Sequence, residues 1–398
     1  MAFDFIDEAL RARHQDGLWR KRHTLAPSTA PLIEIDARHY LNFSSNDYLG
    51  LGASQLVAQA WVDGLSEYGS GSGASPLVTG YTQAHQSLEN HLAKALNRDR
   101  ALLFNSGFAA NQAICQALFP HTKDAANKLI VADKLMHASF VDGAQSCSAN
   151  FKRFKHNDRQ HLSQILTSNH VSTDTLIATE SVFSMDGDQA PILELANIAD
   201  QHNAWLMVDD AHGFGILGQQ GLGIVEQLEL SQKQVPILMA TFGKAIGTAG
   251  AFIAGSEQLI DYLINFARHY IYSTSMPAAQ AHATLASIKA NQNPKRRGQL
   301  QTRIAQFKQL ALAANIPLIP SDTAIQPVFI GNPQQALLLS EKLKRLGIWV
   351  SAIRYPTVPK GTDRLRVTLS AMHEEQDVAA LVDALQIALR QTLNKHHE

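Results

Sequence analysis

Cysteine is nearly absent from this chain: two residues, Cys115 and Cys147, in 398. Two cysteines make neither the multi-bridge framework of a small secreted domain nor a cysteine-based zinc site, so both read as small core side chains. No sign of charge prevails. Thirty-four Lys and Arg stand against 35 Asp and Glu, a net charge of −1. Such a balance leaves no global basic field to hold a nucleic-acid backbone or an anionic membrane. Long apolar runs are missing too, since no stretch approaches the roughly 18 residues that a membrane span needs. The opening MAFDFIDEALRARHQDGLWRKRH lacks an apolar run followed by a small-residue cleavage site, so no secretory signal is expected and the cytosol is the expected address. Repeats, low-complexity linkers and the zinc motif H-E-x-x-H are absent, and no metal is expected. Two glycine motifs fail on inspection. In Gly71-Ser72-Gly73-Ala74-Ser75-Pro76 a proline replaces the third glycine of a dinucleotide fingerprint, and a helical segment precedes it where a strand should. Gly243-Lys244 is no Walker motif, because Leu238 and Ala245 occupy the positions that need glycine and a hydroxyl.

What remains is a globular composition, 45% hydrophobic and 17% charged, long enough for two or three domains at roughly 150 residues each. Residues 2–23 read as an amphipathic helix with Phe3, Ile6, Leu10 and Leu18 on one face and arginines between them. Short strands are expected at 32–36 and 40–43, and a helix at 84–97. Apolar strands then follow at 101–104, 129–132, 175–179, 205–208, 236–241 and 250–254. Helical segments separate them at 109–118, 138–147, 160–168 and 193–202. This alternation predicts a mostly parallel sheet covered on both faces. Residues 258–290 read as a helical connector broken near Ser273–Pro277. From 295 onwards, helices at 297–314, 334–346 and 375–393 with strands at 325–330, 349–353 and 364–369 predict a smaller α+β domain.

Ligands of open α/β sheets sit beyond the carboxyl ends of the strands, so the residues there carry the chemistry. Strand 101–104 runs into Asn105-Ser106-Gly107-Phe108, a small-residue turn opening a helix, which suits a phosphate. Strand 175–179 runs into Glu180-Ser181-Val182-Phe183-Ser184, a source of hydroxyls. Strand 205–208 ends in Asp209-Asp210-Ala211-His212, where a carboxylate can hold a proton on a heteroaromatic nitrogen. Strand 236–241 ends in Thr241-Phe242-Gly243-Lys244, and a desolvated lysine with a lowered pKa is a candidate Schiff-base amine. A phosphate cradle, a carboxylate and an amine are the parts of a pyridoxal-phosphate (PLP) site.

Eight stretches carry a further likeness: LNFSSNDYLGL (41–51), GYTQAHQSLE (80–89), SGFAANQA (106–113), ESVFSMDGD (180–188), VDDAHGFG (208–215), TFGKAIGTAG (241–250), IYSTSMPAAQA (271–281) and SAIRYPTVPKGTDRLRVTLSA (351–371). In these the sequence resembles the α-oxoamine synthases, a family of fold-type I PLP-dependent enzymes. The resemblance implies a large doubly wound, mostly parallel seven-stranded sheet domain and a small C-terminal α+β domain. The expected division is an N-terminal arm at 1–50, a large PLP-binding domain at 51–288 and the small domain at 289–398. It also implies decarboxylative condensation of an amino acid with an acyl thioester, at sites shared across a homodimer. Within the family the stretches are most similar to the member that joins L-alanine to a pimeloyl thioester, carried by CoA or by an acyl-carrier protein.

Residue by residue, Lys244 matches the lysine that binds the cofactor covalently and serves as base. Asp209 matches the partner of the ring nitrogen, His137 the imidazole stacked on the ring, and His212 and Ser184 the contacts of its phenolic oxygen. Ser106, Gly107, Phe108 and Thr241 match the phosphate turn, and Ser273 and Thr274 reach the partner subunit's phosphate. On the substrate side, Arg366 is expected at the amino-acid carboxylate, because a guanidinium grips a carboxylate bidentately. Arg20 falls near the acyl-chain end, Arg354 assists in substrate binding, Thr357 falls on the thioester side, and Asn46 near the reacting centre. Two departures stand out: Ala278 follows Pro277 where the family often has a second proline, and residues 119–128 and 289–299 match nothing. Other members of the family, 5-aminolevulinate synthase, 2-amino-3-ketobutyrate ligase and serine palmitoyltransferase, share the cofactor residues and remain alternatives. A non-catalytic scaffold subunit would lack the lysine, which is present here, and a nicotinamide-dependent oxidoreductase would need the glycine motif that fails.

Overall fold

In the computed structural model, residues 2–121, 127–169 and 174–393 are described. Seven strands form the central sheet: β3 (Arg100–Phe104), β4 (Lys128–Asp133), β5 (Asn150–Phe154), β6 (Asp174–Glu180), β7 (Trp205–Asp209), β8 (Ile237–Thr241) and β9 (Ala251–Gly255). Preceding them are β1 (Leu32–Ile35) and β2 (Arg38–Asn42). The sheet order is β3-β9-β8-β7-β6-β4-β5. All its neighbours pair in parallel except β9, which runs antiparallel to both β3 and β8. Successive side chains of a strand point to opposite faces. Val131, Ile177, Val208 and Leu238 accordingly enter one buried cluster, while Ile130, Leu176, Met207 and Ile237 enter another. Helices cover both faces, which is why the strands read as unbroken apolar runs.

The sequence pattern did not predict β5. Its NFKRF carries two cations, and it lies at the sheet edge with β4 as its neighbour. Charged side chains suit an edge, where they discourage pairing with another chain, and they erase the apolar signal. The N-terminal helix is also shorter than the expected 2–23. It spans Phe5–Gln15, buries none of its residues, and gives way to Gly17 at a φ of +66°, a left-handed conformation that stops helices.

The C-terminal part holds β10 (Ile325–Phe329), β11 (Ile348–Trp349), β12 (Ser351–Ile353) and β13 (Arg364–Thr368). β13 lies between β10 and β12, while β11 pairs in parallel with β2. Phe43, Tyr48 and Leu49 pack in one cluster with Phe307, Leu365 and Leu381, so the chain's early segment is packed into its last third. Among the described residues no helix is long and apolar enough to cross a membrane.

Candidate functional site

The carboxyl ends of β6, β7 and β8 and the start of the Gly107–Leu118 helix enclose a cavity of about 200 Å³, lined among others by Gly107, His137, Glu180, Asp209, His212 and Lys244. Asp209 is 4% exposed. Its Oδ2 accepts from Asn111 Nδ2 at 3.0 Å and its Oδ1 from the Ala211 amide at 3.0 Å. Asp210 turns the other way. It accepts from the Ser181 hydroxyl and the Ile224 amide. Cβ atoms at residues 213 and 223 would lie 2.1 and 1.8 Å from its oxygens, so both must be glycine. Of two adjacent carboxylates, one thus faces the cavity and the other anchors the loop behind it.

Lys244 stands in the turn after β8. Burial pushes its amine down to about 8, with Asp209 and Glu180 opposing and Arg366 adding to the depression. Glu180 pairs in register with Asp209 on the neighbouring strand. It is buried, and its Oε1 has no hydrogen-bond partner among the described residues. Burial, then the Asp209 charge, raises its carboxyl well above the usual range, so Glu180 gives up its proton less readily than an ordinary carboxyl. Sequence reasoning took residue 180 only as the start of a hydroxyl-rich turn; its place beside Asp209 depends on the strand register.

His137 accepts from the Ser139 amide at 3.2 Å through Nδ1, and the Ser139 hydroxyl lies 2.7 Å from the same nitrogen. Asn111 Nδ2 reaches that hydroxyl at 2.9 Å as well as Asp209, giving a chain from His137 to Asp209. Burial lowers the His137 pKa, Asp209 raises it and Lys244 lowers it, and the balance leaves the imidazole uncharged. His212 is also held neutral, first by burial and then by Lys244, Arg366 and His137. Its Nδ1 lies 2.6 Å from the hydroxyl of Tyr48. Tyr48 is buried, and burial raises its phenol pKa, so it keeps its proton. It went unrecognised as a site residue because tyrosine in a turn carries no distinguishing pattern.

At the other end, Ser106 caps the helix by accepting from the Ala109 amide at 3.1 Å. The amides of residues 107 and 108 are first-turn donors that an α-helix leaves without intrahelical partners. Beside them the Thr241 Oγ1 is buried without a partner, and a Cβ on Gly107 would lie 2.7 Å from Thr241 Cγ2. An orphaned hydroxyl beside free amides calls for an anion. With the carboxylate at one end and the amine nearby, this donor set fits a phosphorylated pyridine aldehyde.

Arg366, on β13, is 7% exposed. Its Nε donates to the Ser184 carbonyl at 2.6 Å, Nη1 to Thr368 Oγ1 at 2.9 Å, and both Nη atoms to Asn46 Oδ1 at 3.3 Å. The structure thereby joins Arg366, Asn46 and the Ser184 turn, and its charge acts on Lys244 and His212. Ser273 and Thr274 line a separate cleft with Tyr81, Glu89 and Tyr270, tied to the first strand end by Asn105 Nδ2 donating to the Thr274 carbonyl at 2.6 Å. Arg354 donates to the Gly17 carbonyl at 2.6 Å, the exposed Thr357 donates its amide to the Arg354 carbonyl, and Arg20 is exposed. These three are not among the cavity-lining residues. Cys115 is buried and Cys147 half-buried, both as free thiols outside the cavity lining.

Residues 38–385 match the family described as aminotransferase class I and II. The chain is 48% identical over 384 residues to an 8-amino-7-oxononanoate synthase of Aeromonas hydrophila, covering 96% of this chain and 94% of that protein. Among solved structures, the 8-amino-7-oxononanoate synthase of Francisella tularensis overlays with a TM-score of 0.76 at 32% identity, covering 88% of this chain and 98% of that one. A serine palmitoyltransferase described with its PLP internal aldimine overlays at 0.90 with 26% identity, covering 98% of each chain.

Proposed function

Since the chain belongs to the aminotransferase class I and II family, we infer that it is a PLP-dependent acyltransferase of biotin biosynthesis. It condenses L-alanine with a pimeloyl thioester to give 8-amino-7-oxononanoate, carbon dioxide and the free thiol. The observation that carries this reading is the convergence of Asp209 and Lys244 in one cavity, in a chain 48% identical over nearly its whole length to a protein of that name. Identity favours that chemistry over serine palmitoyltransferase, whose closer overlay speaks for the shared scaffold alone.

When bound, PLP supplies an electron sink for the bond-breaking at the amino-acid carbon. The roles of this chain's residues follow as proposals from their chemistry. Lys244 would hold the cofactor through Nζ. With its amine free it would serve as the base for the alanine Cα proton, a role that a pKa of about 8 suits at neutral pH. Asp209, fixed by Asn111 and the Ala211 amide, holds the proton on the ring nitrogen. His137 would cover the ring, and His212 and Ser184 would serve its phenolic oxygen. Gly107, Phe108, Ser106 and Thr241 bind the phosphate.

Arg366 grips the alanine carboxylate, with Asn46 beside it. Arg354, Thr357 and Arg20 serve the thioester and acyl chain, where CoA and an acyl-carrier protein are the two candidate carriers. Ser273 and Thr274 lie apart from the cavity, which suits a role at the phosphate of a partner subunit in a homodimer. The division at residues 50 and 288 belongs to the same proposal, as does a cytosolic address. Pairing of β2 with β11 supports grouping the N-terminal arm with the small domain.

The test is thiol release by the PLP-loaded protein. Pimeloyl-CoA is offered with L-alanine, glycine or L-serine, and alanine with acetyl-, succinyl- or palmitoyl-CoA. Release confined to alanine with pimeloyl-CoA, with the oxo-amino acid identified by mass, is expected. Turnover of serine with palmitoyl-CoA instead would move the chain to the sister activity.

A further inference from the structure

Away from the cavity lining, His156 sits between two carboxylates. Its Nδ1 lies 3.0 Å from Asp133 Oδ1 and its Nε2 2.8 Å from Asp188 Oδ2. Both carboxylates are acceptors, so both ring nitrogens must carry protons for both bonds to form, which makes the ring an imidazolium. Burial works against that charge, but the two carboxylates prevail and push its pKa up to about 10. Asp133, fully buried at the end of β4, also accepts from the Leu135 and Asn157 amides at 2.7 and 2.8 Å. It is therefore a fixed anchor on the large sheet. Asp188 is not on that sheet. It closes the turn 183–188, in which the Phe183 amide donates to the Asp188 carbonyl and the Gly187 amide to the Phe183 carbonyl. Phe183 itself packs edge-on against the His156 ring, centroids 4.4 Å apart. Asn157 Nδ2 adds a second bond to Asp188 at 2.8 Å.

The opposite side of the same turn grips two arginines of β13. The Ser184 carbonyl accepts from Arg366 Nε, and Asp186 forms an ion pair with Arg364. The Gly187 carbonyl accepts from Ser321 and Thr323 at 2.9 and 3.1 Å. The turn is thus a strap between the β4 and β5 ends and β13. We propose that His156 is a positioning residue: by clamping Asp188 to Asp133 it sets where the strap's Ser184 carbonyl holds the Arg366 guanidinium, and hence how the enzyme binds its amino acid. This rests on the assignment of Arg366 to the alanine carboxylate.

The test uses the PLP-loaded enzyme and three variants: His156→Gln, Asp188→Asn and Arg366→Lys. Misplacing a gripping group by about 1 Å is worth on the order of ten- to a hundred-fold. His156→Gln is therefore expected to raise KM for alanine at least ten-fold. KM for the thioester, the cofactor content and the visible absorbance maximum should stay near wild type. Asp188→Asn should do the same, and it carries the test if the histidine variant fails to fold. Because His156 acts through Arg366, adding His156→Gln to Arg366→Lys should raise KM for alanine little further. An unchanged KM for alanine in the His156 and Asp188 variants overturns the proposal. So does a rise of both KM values together with a fall in kcat and cofactor content, which marks a merely structural role, or full additivity of the double variant. If Arg366→Lys itself leaves alanine binding intact, the assignment of Arg366 fails instead.

Discussion

The cofactor-free protein allows the Lys244 amine to be titrated by its own reactivity. Only a neutral amine attacks an aldehyde, so the rate of covalent PLP capture should follow the neutral fraction. With a pKa of about 8 that fraction is about one tenth at pH 7 and about nine tenths at pH 9, a rise of about ten-fold that then levels off. A lysine at the ordinary 10.5 would be neutral to only about 3 parts in 10,000 at pH 7, would rise about a hundred-fold over the same two units, and would keep rising. The assay is stopped-flow visible absorbance after mixing apoprotein with excess PLP between pH 6 and 11. The charge of Asp209 opposes the depression by burial, so Asp209→Asn should move the midpoint below that of the wild type. Glu180→Gln should move it the same way by less, because Glu180 is the second carboxylate that opposes the depression. A capture rate that climbs log-linearly past pH 10, or an upward shift in Asp209→Asn, would refute the account of why this lysine is reactive.

Asp209→Asn should also retain the fold yet lose turnover by about a hundred- to several-thousand-fold, the equivalent of the roughly 3–5 kcal/mol that breaking a buried charge pair costs; steady-state thiol release measures it. Tyr48→Phe leaves the buried His212 Nδ1 without its partner and should lower apoprotein stability by about 1–3 kcal/mol in urea denaturation. Gly107→Ala forces a methyl into Thr241 and should weaken PLP binding at least ten-fold in equilibrium titration, with the fold intact by circular dichroism. For His156, the folded pKa of about 10 lies above the ordinary 6.5. Its clamp with Asp133 and Asp188 therefore stabilises fully below about pH 6.5, fades as pH rises, and is lost above about 10. The Tm gap between wild type and His156→Gln should narrow over that window; a gap that widens with pH would sink the imidazolium assignment.

Two kinds of signal are legible in the sequence. Unbroken apolar runs marked the strands buried on both faces, and residues just beyond them marked the ligand edge, which is how Asp209, Thr241 and Lys244 stood out. The signals fail where chemistry depends on which residues come side by side. β5 escaped because its cations suit a sheet edge and break the apolar pattern. The N-terminal helix is shorter than its pattern predicts because amphipathic spacing continues past Gly17, where the backbone leaves the helix.

Local order along the chain thus determined the mostly parallel sheet, the order of its ligand-edge turns, and the amine, carboxylate and phosphate-binding amides that those turns carry. The resemblance singles out Asp209, but only the tertiary structure shows why Asp210 does not face the cavity: it is turned onto Ser181 and the Ile224 amide, against Gly213 and Gly223. It also decided that Glu180 lies beside Asp209, that Tyr48 meets His212 across 164 positions, and that Arg366 reaches the Ser184 turn across 182. Those pairings arise from strand register and from the packing of β13 against the turn, and neither leaves a periodic trace in the sequence.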